Sequence, residues 1–347
     1  MRVGLIGSGR IGRMHARTLR ELDQQVVVAD AEPQRARDLA ADPGLADHDV
    51  SAVGSVEELL DSADCVLVAA ATHAHQPLVH RCLDRDLPVF CEKPVALDVA
   101  GTREVLARAE RSRTPLQVGL QRRFDAGYRA ARDAVRGGEL GWLHTLRAVT
   151  ADAEPPPASF VPTSGGLFRD CGLHDFDAIR WITGREVRSA RATGSNRGAP
   201  HFSESGDVDT AVALLELDDG TLATACASRY NGAGYDVRLE VCGSRGAVFV
   251  GHDDRAPLPS AEPGVPWPRS RPYSTFADRF AGAYRAEVAA FLEVASGERE
   301  NPCGAAEALE ALLVAEACEL SRLQDRTVTT DEVREQDFSG DSPEITR

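Results

Sequence analysis

The feature that most constrains this chain is a regular alternation of short apolar runs and helix-like stretches through its first third. Arg2–Ile6, Gln25–Asp30, Cys65–Ala71, Pro88–Cys91 and Leu116–Leu120 read as strands. Between them Ile11–Leu22, Pro33–Ala41, Gln76–Asp86 and Asp98–Arg111 read as helices, with Asp98 placed as an N-cap. Ser55-Val56-Glu57-Glu58 has the spacing of a capping box and predicts a further short helix. Strands separated by helices cannot pair as hairpins. They need crossover connections, which build a parallel sheet covered on both faces.

Gly7-Ser8-Gly9-Arg10-Ile11-Gly12 lies where the first strand gives way to the first helix. In that context the spacing is a dinucleotide-binding fingerprint. Gly7 permits the tight turn, Gly9 lets a pyrophosphate approach the backbone, and Gly12 allows close helix–strand packing. The helix N-terminus offers free N–H groups and partial positive charge to phosphates. Asp30 ends the second strand, where a carboxylate bonds the adenosine ribose hydroxyls and repels a 2′-phosphate. These residues predict a Rossmann domain binding NAD. Arg35 is near enough to keep NADP as the alternative.

Lys93 is the sole lysine among 39 Lys and Arg residues. Where only charge is needed arginine has served, so the surviving amine points to a role that guanidinium cannot fill. It stands in Cys91-Glu92-Lys93-Pro94, at the carboxyl end of a parallel strand, where open α/β sheets bind ligands. Adjacent strand residues face opposite ways, which argues against a simple Glu92–Lys93 ion pair. Asp170 and His174 are four residues apart at the start of a helix expected from about Leu173 to Thr183. A histidine of near-neutral pKa suits general-base work on an alcohol. Taken alone, the pair reads more readily as a capping Asp and a packed His. Asp175 and Asp177 read as solvent-facing or capping.

After Asp125–Arg136 the pattern changes. Runs at Leu143–Thr150, Val187–Ala192, Asp209–Leu217, Thr221–Ser228, Asp236–Cys242 and Ala247–Val250 are separated by turn signals and predict a large open, mainly antiparallel sheet. Residues 152–157 and 253–272 are proline-rich loops, and Phe276–Ser296 and Ala305–Leu323 are amphipathic helices. The expected organisation is a doubly wound parallel Rossmann domain over 1–121, an α+β substrate and oligomerisation domain over 122–325 whose C-terminal helix can pack back on the first, and a polar tail over 326–347.

Composition excludes several functions. The net charge of −15 disfavours a phosphate backbone, so no nucleic-acid partner is expected. No run approaches the ~18 apolar residues of a membrane span, and no signal peptide precedes the first strand. Eight scattered cysteines, none in C-x-x-C, read as buried small hydrophobes in a cytoplasmic protein, with no metal site expected. His73 and His75 lack a Cys or carboxylate partner at ligand spacing.

With His15 added to the glycine turn, Gly7-x-Gly9-Arg10-Ile11-Gly12-x-x-His15, Glu92-Lys93-Pro94 and Asp170-x-x-x-His174 resemble, in order and spacing, the signatures of the Gfo/Idh/MocA oxidoreductases. The resemblance covers roughly residues 1–325. The Gly165-Gly166-Leu167-Phe168 approach and the His174-Asp175-Phe176-Asp177-x-x-Arg180 run look closest to inositol 2-dehydrogenases. The resemblance implies reversible oxidation of a ring secondary hydroxyl on a cyclitol or sugar. His174 would take the hydroxyl proton, Lys93 would orient and polarise the oxygen, and Asp170 would bind a substrate hydroxyl or assist His174. It implies a cis Lys93–Pro94 bond. It places Thr72, His75, Glu92 and Gln121 on the nicotinamide side, and Arg123, Asp152 and Tyr235 near substrate. The segment Ala70–His75 departs from the family's T-P-x-x-x-H pattern, which leaves the roles of that loop open. The resemblance also implies a homodimer or homotetramer formed through the open sheet face. Two other classes stay open: an NAD-dependent redox glycosidase and a non-catalytic NAD-bound sensor.

Overall fold

The computed structural model describes residues 1–45, 49–266 and 268–336. Among the described residues the chain divides into two compact units, one of residues 1–121 with 282–309, the other of 122–281 with 310–336.

The first unit carries six strands, β1 (Arg2–Ile6), β2 (Gln25–Ala29), β3 (Val50–Ala52), β4 (Cys65–Val68), β5 (Val89–Glu92) and β6 (Leu116–Gly119). All pair in parallel, in the order β3-β2-β1-β4-β5-β6. The reversal of strand order beside β1 is the switch point at which such sheets take ligands. Helices α1 (Arg10–Glu21), α2 (Pro33–Ala40), α3 (Val56–Leu60), α4 (Thr72–Leu83) and α5 (Val99–Ser112) connect them. The strands are apolar without alternation because both faces are covered; all four residues of β4 are buried. Register aligns Ile6 with Ala29 and Val68, and Val68 with Cys91. Gly7, Asp30, Ala69 and Glu92 therefore all lie just beyond one row at the carboxyl edge.

Local chemistry sets the helix starts. Asp98 accepts the Gly101 N–H at 2.7 Å and Ser55 accepts that of Glu58 at 3.2 Å. α4 begins at Thr72, earlier than the expected Gln76, so the segment read as a loop is the first turn of a helix with Pro77 inside it. β3 was not expected. It is three partly exposed residues, held by parallel pairing to β2 rather than by an apolar run.

The second unit holds β7 (Leu143–Ala151), β8 (Val187–Ser195), β9 (Thr210–Leu217), β10 (Leu222–Ser228), β11 (Asp236–Gly243), β12 (Ala247–Val250) and β13 (Val328–Thr329). They form one sheet in the order β12-β11-β7-β10-β9-β8-β13. It is antiparallel except where β10 runs parallel to β7. Helices α6 (Ala126–Arg136), α7 (Leu173–Thr183), α8 (His201–Glu204) and α9 (Phe276–Arg279) belong to this unit. Along β9, buried residues alternate with the exposed Val212 and Leu214, so one face of the sheet is open.

Three helices follow: α10 (Ala281–Ala295), α11 (Ala305–Gln324) and α12 (Thr330–Glu335). Residues 282–309 group with the parallel sheet, in the way the expectation of a C-terminal helix packing back on the first domain allowed. The reason is apolar burial: Val288 and Phe291 of α10 enter the core of Val3, Leu5, Leu19, Val26 and Phe90, with the Phe90 and Phe291 rings 5.8 Å apart. The region past 325 is also more than a polar tail. Val328 and Thr329 pair with β8, Thr329 caps α12 by accepting the Glu332 N–H at 3.1 Å, and Val333 is buried. The tail expectation beyond residue 336 lies outside the described residues.

Candidate active site

In the first unit the glycine turn is built to receive a phosphate. Gly7 has φ +101°, and an added Cβ there would lie 2.6 Å from the Ala69 carbonyl oxygen. A Cβ on Gly12 would run into the Gly7 carbonyl, whereas one on Gly9 would meet nothing within 4 Å. Gly9 is the N-cap of α1, and no side-chain hydrogen bond caps that helix start. Arg10 is exposed and Ile11 packs against the core. Asp30 is held in place by the chain itself. Its Oδ2 accepts the Ser8 N–H at 2.8 Å and the Ser8 hydroxyl at 2.7 Å, and its Oδ1 accepts the Glu32 N–H at 3.0 Å. Burial works against its charge. The hydrogen bonds from Glu32 and Ser8, with the Arg35 charge, outweigh burial and hold its pKa below the ordinary aspartate value. A carboxylate has about four acceptor positions, so capacity remains for a ribose hydroxyl. Arg35 is engaged by Glu32 at 3.0 Å on the surface. An uncapped helix start, open space at Gly9 and an ionised Asp30 fit a dinucleotide.

Lys93 and Thr72 stand half-buried at the same sheet edge, and Gln121 is buried just past β6. The Lys93–Pro94 peptide is cis. Glu92 does not face outward. Its Oε1 lies 2.6 Å from Nε2 of the fully buried His15, whose ring packs edge-on against Phe90 and Tyr284 at 5.5 and 6.0 Å. His75 is buried as well, with Nδ1 2.7 Å from the Pro94 carbonyl oxygen and Nε2 2.9 Å from that of Ala70. Each ring nitrogen lies within hydrogen-bond distance of a backbone carbonyl, the protonated one donating, so His75 borders the Lys93 turn.

In the second unit the main acid cluster forms around a residue that sequence reasoning missed. Arg229, 2% exposed, places Nη1 2.8 Å from Asp170 Oδ2, 3.3 Å from Asp152 Oδ2 and 3.1 Å from the Cys171 sulfur. Desolvation opposes the Arg229 charge, but Cys171, Asp170 and Asp152 overcome it and raise its pKa. Asp170 belongs to a π-turn, Phe168–Gly172, that leads into α7, where His174 is half-buried in the first turn. Such turns widen a helix locally and recur at functional sites. Tyr235 is buried, which pushes its hydroxyl pKa well up. Arg122 opposes this, while Asp152, Cys171 and Asp175 add to it. Asp152, Asp170 and Tyr235 thus share one neighbourhood.

Arg123 is held by a carboxylate of α7. Its Nε and Nη2 donate to Asp177 at 2.9 and 2.6 Å, and it is buried. Asp175 and Asp177 are likewise buried ion-pair partners rather than solvent-facing or capping residues, Asp175 pairing with Arg122. Each carboxylate needed a cation brought from residues 122–123, more than fifty positions away in sequence. Arg229 follows the strand Leu222–Ser228, as Asp152 follows β7, and Ala151 aligns with Ser228. Parallel pairing of those two strands was the signal needed to find it.

A parallel sheet with this glycine turn, helix start and strand-end carboxylate defines a dinucleotide-binding type of domain. Comparison with known proteins extends this. Residues 1–120 match the oxidoreductase family with the NAD-binding Rossmann fold, and residues 128–249 match the GFO/IDH/MocA C-terminal domain. The chain belongs to the GFO/IDH/MocA family of oxidoreductases. It is 42% identical over 306 residues, 87% of this chain and 90% of the relative, to the myo-inositol dehydrogenase Hyg17 of Streptomyces leeuwenhoekii. It is 34% identical to the myo-inositol 2-dehydrogenase of Thermotoga maritima, covering 96% of this chain and 99% of that one. The crystal structure of a probable dehydrogenase from Thermotoga maritima aligns with TM-score 0.88 at 32% identity, over 96% of this chain and all (100%) of that one. Scyllo-inositol dehydrogenase from Lactobacillus casei, solved with NAD(H) and scyllo-inositol, aligns with TM-score 0.84 at 26% identity, over 95% and 99%.

Proposed function

We propose that this protein is an NAD-dependent dehydrogenase oxidising a ring secondary hydroxyl of a cyclitol of the inositol type, with a sugar as the alternative substrate and NADP as the alternative cofactor. The observation that carries the reading is the Asp152–Arg229–Asp170 cluster, whose Asp170 lies in the turn leading into the helix that bears His174, read with relatives named for inositol dehydrogenation. Two carboxyl groups brought together in this way can accept hydrogen bonds from neighbouring hydroxyls and suit a polyol.

Gly7, Gly9, Arg10, Ile11, Gly12 and Asp30 hold the dinucleotide in this reading, with Thr72, Glu92 and Gln121 toward its nicotinamide end. Bound NAD supplies the hydride acceptor. His174 takes the hydroxyl proton as general base, a role worth typically ~10²–10⁴-fold in rate. Lys93 donates to the same oxygen and stabilises the negative charge that develops on it. Asp170 accepts from a substrate hydroxyl, and Asp152 and Tyr235 border the polyol. Eight free thiols suit a reducing, cytoplasmic compartment. The exposed Val212, Leu214 and Leu222 on the open sheet face suit a homodimer or homotetramer.

The test is NADH formation at 340 nm (~) with a panel of cyclitols and aldoses. Turnover of an inositol is the expected result. Glycoside cleavage with NAD in catalytic amount and no net NADH would move the reading to a redox glycosidase. NAD binding without turnover of any polyol would leave a sensor.

A further inference from the structure

We infer that His15 and His75 are positioning residues that clamp the two neighbours of Lys93, one on each side. The inference rests on the proposed role of Lys93 in the reaction.

The two histidines come from different helices of one unit. His15 is on α1, immediately behind the glycine turn, and reaches Glu92 at 2.6 Å. His75 is in the first turn of α4 and reaches the Pro94 carbonyl at 2.7 Å, with its other nitrogen 2.9 Å from the Ala70 carbonyl. Lys93 is thus flanked by one residue tied through its carboxylate and one tied through its backbone. The Glu92 carboxylate is confined on another side, because a Cβ on Gly119 would lie 3.0 Å from its Oε2. Both imidazoles are at most 2% exposed.

Packing alone does not account for His15. Its Nδ1 is buried with no hydrogen-bond partner among the described residues, an unfavourable arrangement that leucine would avoid between Phe90 and Tyr284. What leucine lacks is a donor to Glu92. A flexible amine gains from such a frame, because lysine has four rotatable bonds and a point charge with no geometry of its own. The tie also runs from the glycine-turn helix to the residue before Lys93, so the two ends of the cofactor edge share one rigid link.

The sole lysine makes the test direct, since an amine-directed acetylating reagent can mark only Lys93 and the chain's N-terminus, and mass spectrometry gives the ratio. His15→Leu and His75→Leu are compared with His15→Gln, which restores a donor near Nε2, and His75→Asn, which restores one near Nδ1. Folding is checked by thermal melting, and NAD affinity by titration. The expected result is that each Leu variant raises the Lys93 labelling ratio about threefold or more and cuts kcat with inositol by roughly ten- to a hundredfold, with KM and NAD affinity within about twofold. The Gln and Asn variants return both readouts most of the way. Unchanged labelling and kcat in the Leu variants, with Lys93→Met inactive, would overturn the clamp. Equal damage in the Leu variants and their rescue partners would also overturn it. If Lys93→Met keeps full activity, the proposed role of Lys93 fails instead, and the labelling ratio still decides whether the histidines hold the amine.

Discussion

Breaking the Arg122–Asp175 pair tests how strongly the second unit depends on buried charge. Arg122 is 2% exposed and Asp175 1%. Arg122 also donates to the Thr150 hydroxyl at 2.8 Å, and that hydroxyl donates to Asp175 at 2.7 Å. Arg122→Met leaves the buried Asp175 charge held by the Thr150 hydroxyl without its cation, and stranding a buried charge costs about 3–5 kcal/mol. Asp175→Leu strands the guanidinium, with a cost of about 3–5 kcal/mol. The double variant Arg122→Met/Asp175→Leu replaces the pair by apolar volume and should cost about 1 kcal/mol or less. The coupling is therefore about 4 kcal/mol or more, far from additive. All three tryptophans of the chain, Trp142, Trp181 and Trp267, lie in residues 122–281, so intrinsic fluorescence follows this unit during urea unfolding. With an m-value of about 2 kcal/mol/M, Arg122→Met should lower the midpoint by roughly 2 M. Single variants costing under about 1 kcal/mol, or a double variant equal to their sum, would refute the reasoning.

Three further outcomes are expected. Asp30→Ala should weaken NAD binding about tenfold or more while changing NADP binding little, as NADH and NADPH fluorescence titrations would reveal; charged hydrogen bonds are worth about 1.5–3 kcal/mol. Arg229→Met should raise KM for the polyol about tenfold or more with NAD affinity unchanged, because Asp152 and Asp170 lose the cation that holds them; a steady-state KM within twofold of the parent would count against this. Burial raises the pKa of Asp207, against the Leu167 and Val208 N–H groups and Arg229, so the fold favours its protonated form. That contribution is fully present below the ordinary aspartate pKa and is lost as pH rises through the folded value. Asp207→Asn should therefore stabilise the protein at neutral pH, and the gain in unfolding midpoint should shrink toward about pH 4.

Much of the first unit was legible because parallel strands buried on both faces leave continuous apolar runs, and because the glycine spacing is set by steric contact with a turn. Arg2–Ile6 and Ala247–Val250 form strands over the bounds their patterns suggest. The family signatures likewise pointed to the right family. What the pattern could not supply was partnership across long separations. Glu92 reads as a strand-end carboxylate, yet its neighbour is 77 residues away at His15. Asp175 and Asp177 look like surface acids because their cations come from another segment. The helix at 281–295 is amphipathic whichever core it joins, and only contact with Phe90 decides.

The two-residue strand β13 gives the sheet of the second unit its last edge. Val328 and Thr329 bond to Ser189 and Ala190, about 140 positions earlier in the chain. During synthesis from the N-terminus, Ser189 and Ala190 of β8 therefore lack their outer strand partner until Val328 and Thr329 have been made. A message truncated before Val328 would yield a chain able to complete the nucleotide sheet while offering β8 as a template for pairing with other chains. Premature termination in this short stretch should show itself as insolubility rather than as loss of cofactor binding.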